Sequence, residues 1–176
     1  GIFHGQQRDW YENGQMESLS MRVNGKIDGK SEEWYKNGNL KSSKKYIMDK
    51  PNGMHKEWHE NGQLKSIENY KDGLAIGAFK SFSEMGEVIG EVNLNNGNGI
   101  FIILNDNGQK AIEKQFENGL LKYEKEWYYN GKPKEETIFL NGERAMHKTW
   151  HENGFIEWNS DYINGLTEWS FGDDGN

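Results

Sequence analysis

A two-residue turn signal, Asn-Gly or a close relative, recurs along this chain at intervals of 21 to 24 residues. Because Asn and Gly tolerate the positive φ that both central residues of a type I′ turn require, each pair predicts a β-hairpin. The pairs of this first series are Asn13-Gly14, Asn37-Gly38, Asn61-Gly62, Met85-Gly86, Asn107-Gly108, Asn130-Gly131, Asn153-Gly154 and Asp174-Gly175. Internal repetition of this kind settles the architecture before any other feature is considered.

A second series of turn signals falls eleven residues after the first. Its members are Asn24-Gly25, Asp72-Gly73, Asn96-Gly97, Asn118-Gly119, Asn141-Gly142 and Asn164-Gly165, with Met48-Asp49 as the exception. Two alternating series predict two strands per repeat. We therefore expect an all-β fold: one elongated antiparallel meander of about seven tandem hairpins and roughly 14 strands, twisted into a ribbon or trough.

The repeats form a single array over residues 1–176. Their expected bounds are 5–28, 29–52, 53–76, 77–98, 99–121, 122–144 and 145–165, with a partial repeat at 166–176. Seven Trp, eight Tyr and eight Phe supply the apolar area that the small number of aliphatic residues does not.

A two-residue turn fixes which residues face each other across a hairpin. In the third repeat Gly53 is expected to face Tyr70, Lys56 to face Ile67 and Trp58 to face Lys65; Glu60 would then face Gln63, and His59 would face Leu64. The same register predicts Trp34/Lys41 and Trp127/Lys134 pairs, and it sets large side chains opposite glycines, which we attribute to a ring covering bare backbone.

An aromatic column stands three residues before each turn of the first series. Its candidate partner-binding members, with the tyrosines beside them, are Trp34, Trp58, Trp127, Trp150, Tyr35 and Tyr128; the column is expected to continue to Phe171. Exposed aromatic side chains in such a column could bind an extended peptide or stack on sugar rings. Alternatively, they pack on one another and only stabilise the fold.

The segment Gly99–Leu104 is the most apolar in the chain. Five consecutive apolar side chains put hydrophobic groups on both faces of a strand, so something should cover the second face. They are Ile100, Phe101, Ile102, Ile103 and Leu104. Either this is a partner or self-association site, or the sheet bends here and covers both faces itself.

Catalytic and cofactor chemistry have little support in the residues. His55 and His59, like His147 and His151, have the spacing of a helical zinc pair, but on a strand that spacing is about 13 Å, too far for one ion. No Ser/His/Asp set is recognisable, Cys is absent, and we expect neither enzymatic activity, nor a metal, nor a cofactor.

The net charge of −7 disfavours nucleic acid and membrane surfaces as partners, because both attract clustered positive charge. A local basic face could override this average for a membrane. The residues that could form one are Lys41, Lys44, Lys45, Lys56 and Lys65.

The recurring phrase at residues 33–41 and 57–65, Glu-Trp-aromatic-x-Asn-Gly-x-Leu-Lys, resembles the MORN-repeat variant of bacterial proteins labelled YwqK-like antitoxins. The resemblance covers nearly the whole chain and implies an elongated sheet of hairpins that acts as an interaction module. The label further implies that such a protein neutralises a toxin. The fourth and fifth repeats depart from the pattern at Met85-Gly86 and at the shortened Asn96-Gly97-Asn98-Gly99.

We accordingly expect a non-enzymatic scaffold that binds a protein partner, antitoxin-like or in contact with a host. The alternatives are a self-assembling structural protein, with homo-oligomers, and a binder of carbohydrate or of a membrane surface. Location depends on what precedes Gly1: a signal peptide would place the protein outside the cell or in the envelope, and otherwise it is expected in the cytoplasm.

Overall fold

The computed structural model describes residues 4–163 and 166–169, and over this part of the chain the backbone forms seventeen β-strands and no helix. The strands are β1 Gly5–Trp10, β2 Met16–Val23, β3 Lys26–Trp34, β4 Leu40–Ile47, β5 Lys50–Pro51, β6 Gly53–Trp58, β7 Leu64–Lys71, β8 Leu74–Ala75, β9 Gly77–Phe82, β10 Val88–Leu94, β11 Gly99–Leu104, β12 Lys110–Glu117, β13 Leu120–Trp127, β14 Pro133–Leu140, β15 Glu143–Trp150, β16 Ile156–Asp161 and β17 Leu166–Trp169. The predicted all-β repeat fold is confirmed.

The chain forms two compact units, Gly1–Val88 and Ile89–Asn176. In the first unit the antiparallel order is β1-β2-β3-β4-β6-β7-β9, with the short β5 and β8 paired to β4 and β7. In the second unit β11 to β17 lie side by side in chain order. The antiparallel meander is therefore as expected, but its strands belong to two sheets rather than one.

The second sheet begins at the shortened turn between β10 and β11. Asn95 and Asn98 exchange backbone hydrogen bonds of 3.0 and 2.9 Å across this turn. Beyond it β10 passes very close to β11: a Cβ on Gly90 would lie 2.5 Å from the carbonyl oxygen of Ile102 and 3.2 Å from the Cα of Ile103. Strand β11 makes its ladder with β12, and a new sheet starts there.

The two turn series have different backbone geometry. In the second-series turns up to Asn141-Gly142 both central residues have positive φ, for example 53° and 80° at Asn24-Gly25, so these are the predicted type I′ turns. In the first series only the glycine does, and Gly62 N–H donates to the His59 carbonyl at 2.9 Å. That is a type I turn followed by a left-handed glycine and a bulge, so the type I′ prediction is wrong for this series.

The bulge shifts the register by one residue beside each turn. In the strand bodies the expected pairs Gly53/Tyr70 and Lys56/Ile67 are confirmed. Next to the turn, however, Trp58 faces Leu64. The predicted Trp58/Lys65, Trp34/Lys41 and Trp127/Lys134 pairs are wrong, as are Glu60/Gln63 and His59/Leu64, because the extra bulge residue moves each partner by one; the observed pairs include Trp34/Leu40 and Trp127/Pro133.

At Gly53 the glycine column has a different cause from the one expected. Gly53 does face Tyr70, but a Cβ at Gly53 would meet nothing closer than the Lys45 Cδ at 4.0 Å, so the ring does not exclude a side chain. Gly53 has φ of 84°, a left-handed conformation that costs other L-residues energy. The backbone, and not ring coverage, requires glycine there.

In each unit most of the buried side chains lie on one face of the sheet. In the first unit the rings of Tyr46, His55, Tyr70 and Phe79 form a file with centroid separations of 5.3, 4.9 and 5.7 Å. The second unit buries Phe101, Phe116, Ala145 and Ser160. The turns Asn164-Gly165 and Asp174-Gly175 and the column residue Phe171 lie outside the described residues, as does most of the partial repeat at 166–176.

The Met48-Asp49 turn holds two non-glycine residues at φ of 49° and 70°. Asn tolerates this conformation better than Met, so Met48→Asn should raise the free energy of unfolding by about 0.5–1 kcal/mol, measured by urea denaturation with Trp fluorescence. The matched control is Met54→Asn, on an exposed strand position with ordinary φ, where no gain is expected. Equal changes at the two sites would contradict the strain argument.

Candidate partner-binding faces

The aromatic residue after each Trp of the column fastens one repeat to the next. The Tyr35 hydroxyl donates to the carbonyl of Trp58 at 2.8 Å, and the Tyr128 hydroxyl donates to the carbonyl of Trp150 at 2.6 Å. His59 makes the same bond through Nε2 to the carbonyl of Phe82 at 2.9 Å. The histidine therefore takes the place of a tyrosine. The hydroxyls of the candidate residues Tyr35 and Tyr128 are thus used to link repeats.

The asparagine of each first-series turn makes a second link between repeats. The Asn37 Oδ1 accepts from the Asn39 N–H at 2.9 Å, while its Nδ2 donates to the carbonyl of Glu60 at 3.0 Å. The same pair of bonds occurs at Asn13, Asn61, Asn107 and Asn130. The sequence analysis assigned these residues to positive φ and missed this role. The signal available was their spacing, which puts each amide beside the next turn.

Replacing Asn37 by Asp keeps the acceptor and removes the donor. A carboxylate would then lie against the carbonyl of Glu60, so Asn37→Asp should lower the free energy of unfolding by about 1–2 kcal/mol in urea titrations. The control is Asn24→Asp, in a type I′ turn. Asp72 occupies the equivalent position two turns further along the second series, so an acid is tolerated there. A loss at Asn24 equal to that at Asn37 would remove the argument for the amide link.

The open face of each sheet is the one opposite the buried side chains. In the first unit one row of this face runs across the strands through Arg8, Leu19, Glu32, Ser43, Lys56, Ile67 and Lys80. A neighbouring row sets Lys30 directly opposite Lys45. The buried face carries a row made only of acids and serines, namely Asp9, Ser18, Glu33, Ser42, Glu57, Ser66 and Ser81.

The open face of the second unit has three kinds of row. A charged row places Glu113, Lys125, Glu136 and Lys148 next to one another, with 3.0 Å between the Lys125 Nζ and a carboxylate oxygen of Glu136. An apolar row contains Tyr123, Ile138 and Met146. The third row contains Trp127 and Trp150.

Lys125 joins the charged row to the aromatic row. Its Nζ lies 5.6 Å from the ring centroid of Trp127 and 6.0 Å from that of Trp150. Burial lowers the pKa of Lys125, but the hydrogen bond to Glu136, its negative charge and Tyr123 together more than offset this, so the pKa stands above its ordinary value. The ammonium group is held charged over the two indoles.

The structure divides the predicted apolar site. Ile100 is 50% exposed and Leu104 is 38% exposed, whereas Phe101 is buried on the opposite face. Ile102 and Ile103 are half-buried where β11 passes Gly90. Trp34, Trp58, Trp127 and Trp150 are all half-buried, so each leaves part of its ring accessible.

A cavity of about 370 Å³ opens at the first-series turn margin of the first unit. Its lining residues are Asp9, Tyr11, Glu17, Ser18, Glu33, Trp34 and Lys41. The Lys41 Nζ lies 3.3 Å from a carboxylate oxygen of Glu33, which raises the pKa of Lys41. The Ser18 hydroxyl donates to Asp9 at 2.6 Å, so much of this polar lining is paired within the protein.

His55 and His59 bond to different carbonyls, those of Lys45 and Phe82. No group of three or more possible metal ligands occurs in the part of the chain that the structure describes. That part also contains no helix of the length and apolarity needed to cross a bilayer.

Comparison with known proteins agrees with the hairpin geometry. The family of the MORN repeat variant matches residues 3–24, 27–47 and 51–72, three consecutive repeats of the first unit. The first unit of the chain thus contains three MORN repeats. This repeat is a non-enzymatic module that is generally associated with binding to proteins or membranes.

No curated protein matches the chain. Among solved structures, a mutant of S. aureus TarM in complex with fondaparinux, alpha-GlcNAc-glycerol and UDP is 12% identical with a TM-score of 0.39, and a second TarM structure is 13% identical with a TM-score of 0.38. Each match covers 60% of this MORN-repeat chain and only 21% of TarM. Similarities this weak support no statement about fold or function.

The buried ring of His55 makes stability depend on pH. Burial lowers the pKa of His55, and Lys44 lowers it further, against the opposing effects of the Lys45 carbonyl and of Glu68. Because the folded-state pKa lies below the unfolded value of about 6.5, the neutral ring stabilises the protein fully above that pH, and this contribution is lost as the pH falls.

His55→Phe should therefore flatten the decline in the free energy of unfolding between about pH 7 and pH 5, measured by urea titration at several pH values. Phe79 occupies the equivalent position of the next repeat, and the Lys45 carbonyl keeps its bond from the Asn52 N–H at 2.8 Å. Part of the decline should persist, because burial and Arg144 also lower the pKa of His147. An unchanged pH profile would show that His55 is not its source.

Proposed function

We propose that this MORN-repeat protein is a non-enzymatic scaffold that binds a protein partner through the open face of its second unit. The observation that carries the proposal is the set of parallel rows on that face, aromatic, charged and apolar, each at a fixed interval across the strands. A surface with large rings beside paired charges has the composition of a protein-binding hot spot with a polar surround.

The spacing of the anchors suits an extended segment of a partner. Trp127 and Trp150 lie two strands apart, which is about 10 Å at the usual spacing between strands. In a polyproline II segment, which has three residues per turn, every third residue lies on the same face and advances by about 9 Å. A partner segment in this extended conformation, lying across the sheet, could thus place two apolar side chains against the two indoles.

The surface is largely pre-formed. Lys125 is fixed by Glu136 and by the two rings, so little side-chain entropy remains to be lost on binding. Exposed apolar area remains at Ile138, which is 36% exposed in the middle of the face. Burying such an anchor contributes to affinity, whereas the paired charges around it contribute mainly to specificity.

Site-specific photo-crosslinking in cells tests the proposal. With p-benzoyl-phenylalanine at Ile138, we expect one discrete crosslinked species, which mass spectrometry would identify. The control position is Phe155, an exposed aromatic residue in a turn, where no such species is expected. Crosslinks only to a second copy of the chain would indicate the self-assembling alternative, and equal crosslinking at both positions would contradict the assigned face.

With the partner purified, Ile138→Lys should weaken binding at least about tenfold, equivalent to about 1.4 kcal/mol, while the unfolding midpoint stays near that of the wild type. An affinity equal to that of the wild type would remove the open face of the second unit as the binding surface.

The finer proposal, that the partner is a toxin, is supported by the resemblance of residues 33–41 and 57–65 to YwqK-like proteins. It requires that the crosslinked partner arrest growth when expressed alone and that growth recover when the MORN-repeat protein is expressed with it. A partner that is harmless by itself would exclude neutralisation and leave the scaffold role in place.

A further inference from the structure

We infer that the open face of the first unit is a second docking surface, and that its ligand is an acidic, extended polypeptide segment. The surface is the cationic strip of Arg8, Lys30, Lys45 and Lys56. The inference rests on the proposed protein-binding function and adds to it a separate site and the chemistry of what binds there.

The strand register brings the strip together. Lys30 on β3 lies directly opposite Lys45 on β4. Ser43, two residues before Lys45 on the same face, lies directly opposite Lys56 on β6. Arg8 lies in the same cross-strand row as Lys56, so the four cations extend from β1 to β6 on one face.

The strip is not neutralised within the first unit. Its two rows contain a single carboxylate, that of Glu32, which lies 2.6 Å from the Lys30 Nζ. Lys45 and Lys56 form no ion pair with any residue that the structure describes. Like charges directly opposite one another on adjacent strands destabilise a sheet. The Lys30/Lys45 pair therefore lowers the stability of the fold, which points to a role in binding.

The same face offers apolar contact beside the cations. Met54 is 52% exposed, and Met21 is 38% exposed. Unbranched methionine side chains adapt to varied partner surfaces. The ligand is therefore expected to combine carboxylates with an occasional apolar residue.

The charge distribution favours a narrow acidic ligand over an extended anionic surface. Residues 1–88 contain 13 basic and 13 acidic residues, whereas residues 89–176 contain 8 and 15, so the whole net charge of −7 belongs to the second unit. Exposed charges are screened beyond about 8 Å at physiological salt. A strip a few residues wide can thus attract carboxylates at close range, while the chain as a whole does not attract a membrane or nucleic acid.

The reach of the strip sets the size of the ligand. From β1 to β6 there are four inter-strand steps of about 4.8 Å, or roughly 19 Å. An extended chain of about six residues covers this length. Three carboxylates in such a segment would meet Arg8, Lys45 and Lys56, since Lys30 already pairs with Glu32.

Fluorescence anisotropy with the full chain tests the inference. The probe is a fluorescein-labelled ten-residue peptide of alternating Glu and Ser, and its partner peptide carries Gln in place of Glu. We expect the Glu peptide to bind at low ionic strength, its affinity to fall as salt rises, and the Gln peptide to bind at least about tenfold more weakly.

Charge reversal locates the site. Lys45→Glu with Lys56→Glu should weaken binding of the Glu peptide at least about tenfold, whereas Lys26→Glu with Lys71→Glu, an equal change of charge beside the second-series turns, should weaken it less than about threefold. Lys45→Gln with Lys56→Gln removes the charge without reversing it and serves if the first variant fails to fold. Circular dichroism verifies the fold of each variant.

Three results would overturn the inference. They are no binding of the Glu peptide, equal loss in the strip and control variants, and tighter binding to phosphatidylserine vesicles that the strip variant abolishes, which would make the ligand a lipid surface. Because the Ile138 crosslinking probes the other unit, its success beside any of these results would leave the proposed function standing and remove only the cationic strip.

Discussion

The hydrogen bonds between successive first-series turns are the constraint on which the rest of the structure depends. A single hairpin is marginally stable, so each repeat here is stabilised by its contacts with the neighbouring repeats. The asparagine amide supplies that link at the backbone level, since it bonds its own turn and the carbonyl of the next one. The tyrosine or histidine two residues before the asparagine adds a second bond to the same neighbour. Within each unit, the repeats that carry these links are thereby held at one spacing.

Fixed spacing is what converts a repetitive sequence into usable surfaces. When each hairpin keeps the same register as the last, side chains at one repeat position form a continuous row across the strands. Small serines, together with His55 and Phe79, take the buried face of the first unit. Lys30, Lys45 and Lys56 lie on the other face, where burial does not oppose charge. The chemistry of a row is then decided by one repeat position and can change from one unit to the other without altering the fold.

Sequence reasoning predicted the hairpins and the register of the strand bodies because alternation and turn chemistry are local. It could not distinguish the two turn types, since Asn-Gly satisfies a type I′ turn and also a type I turn followed by a left-handed glycine. Two methionines show the difference between the turn types. Met85 stands at the first central position of a first-series turn without a left-handed conformation, whereas Met48 adopts one at the same position of a second-series turn. The faces were harder to predict. The bulge moved the partner of Trp58 by one residue, whereas the Lys30/Lys45 pair follows from the strand-body register that the turn predicts, although the sequence analysis did not single it out.

The two units use one repeat for surfaces of opposite character, and their charge explains why this is compatible with a single fold. In the second unit the cations of the open face are matched by carboxylates in the same row, as Lys125 is by Glu136, and the excess acid lies elsewhere. In the first unit acids are concentrated on the buried-face row with the serines, which leaves Lys45 and Lys56 on the open face. Neither arrangement changes the backbone links between turns. The strain of like charges is therefore confined to the rows themselves, where a ligand of opposite charge can relieve it.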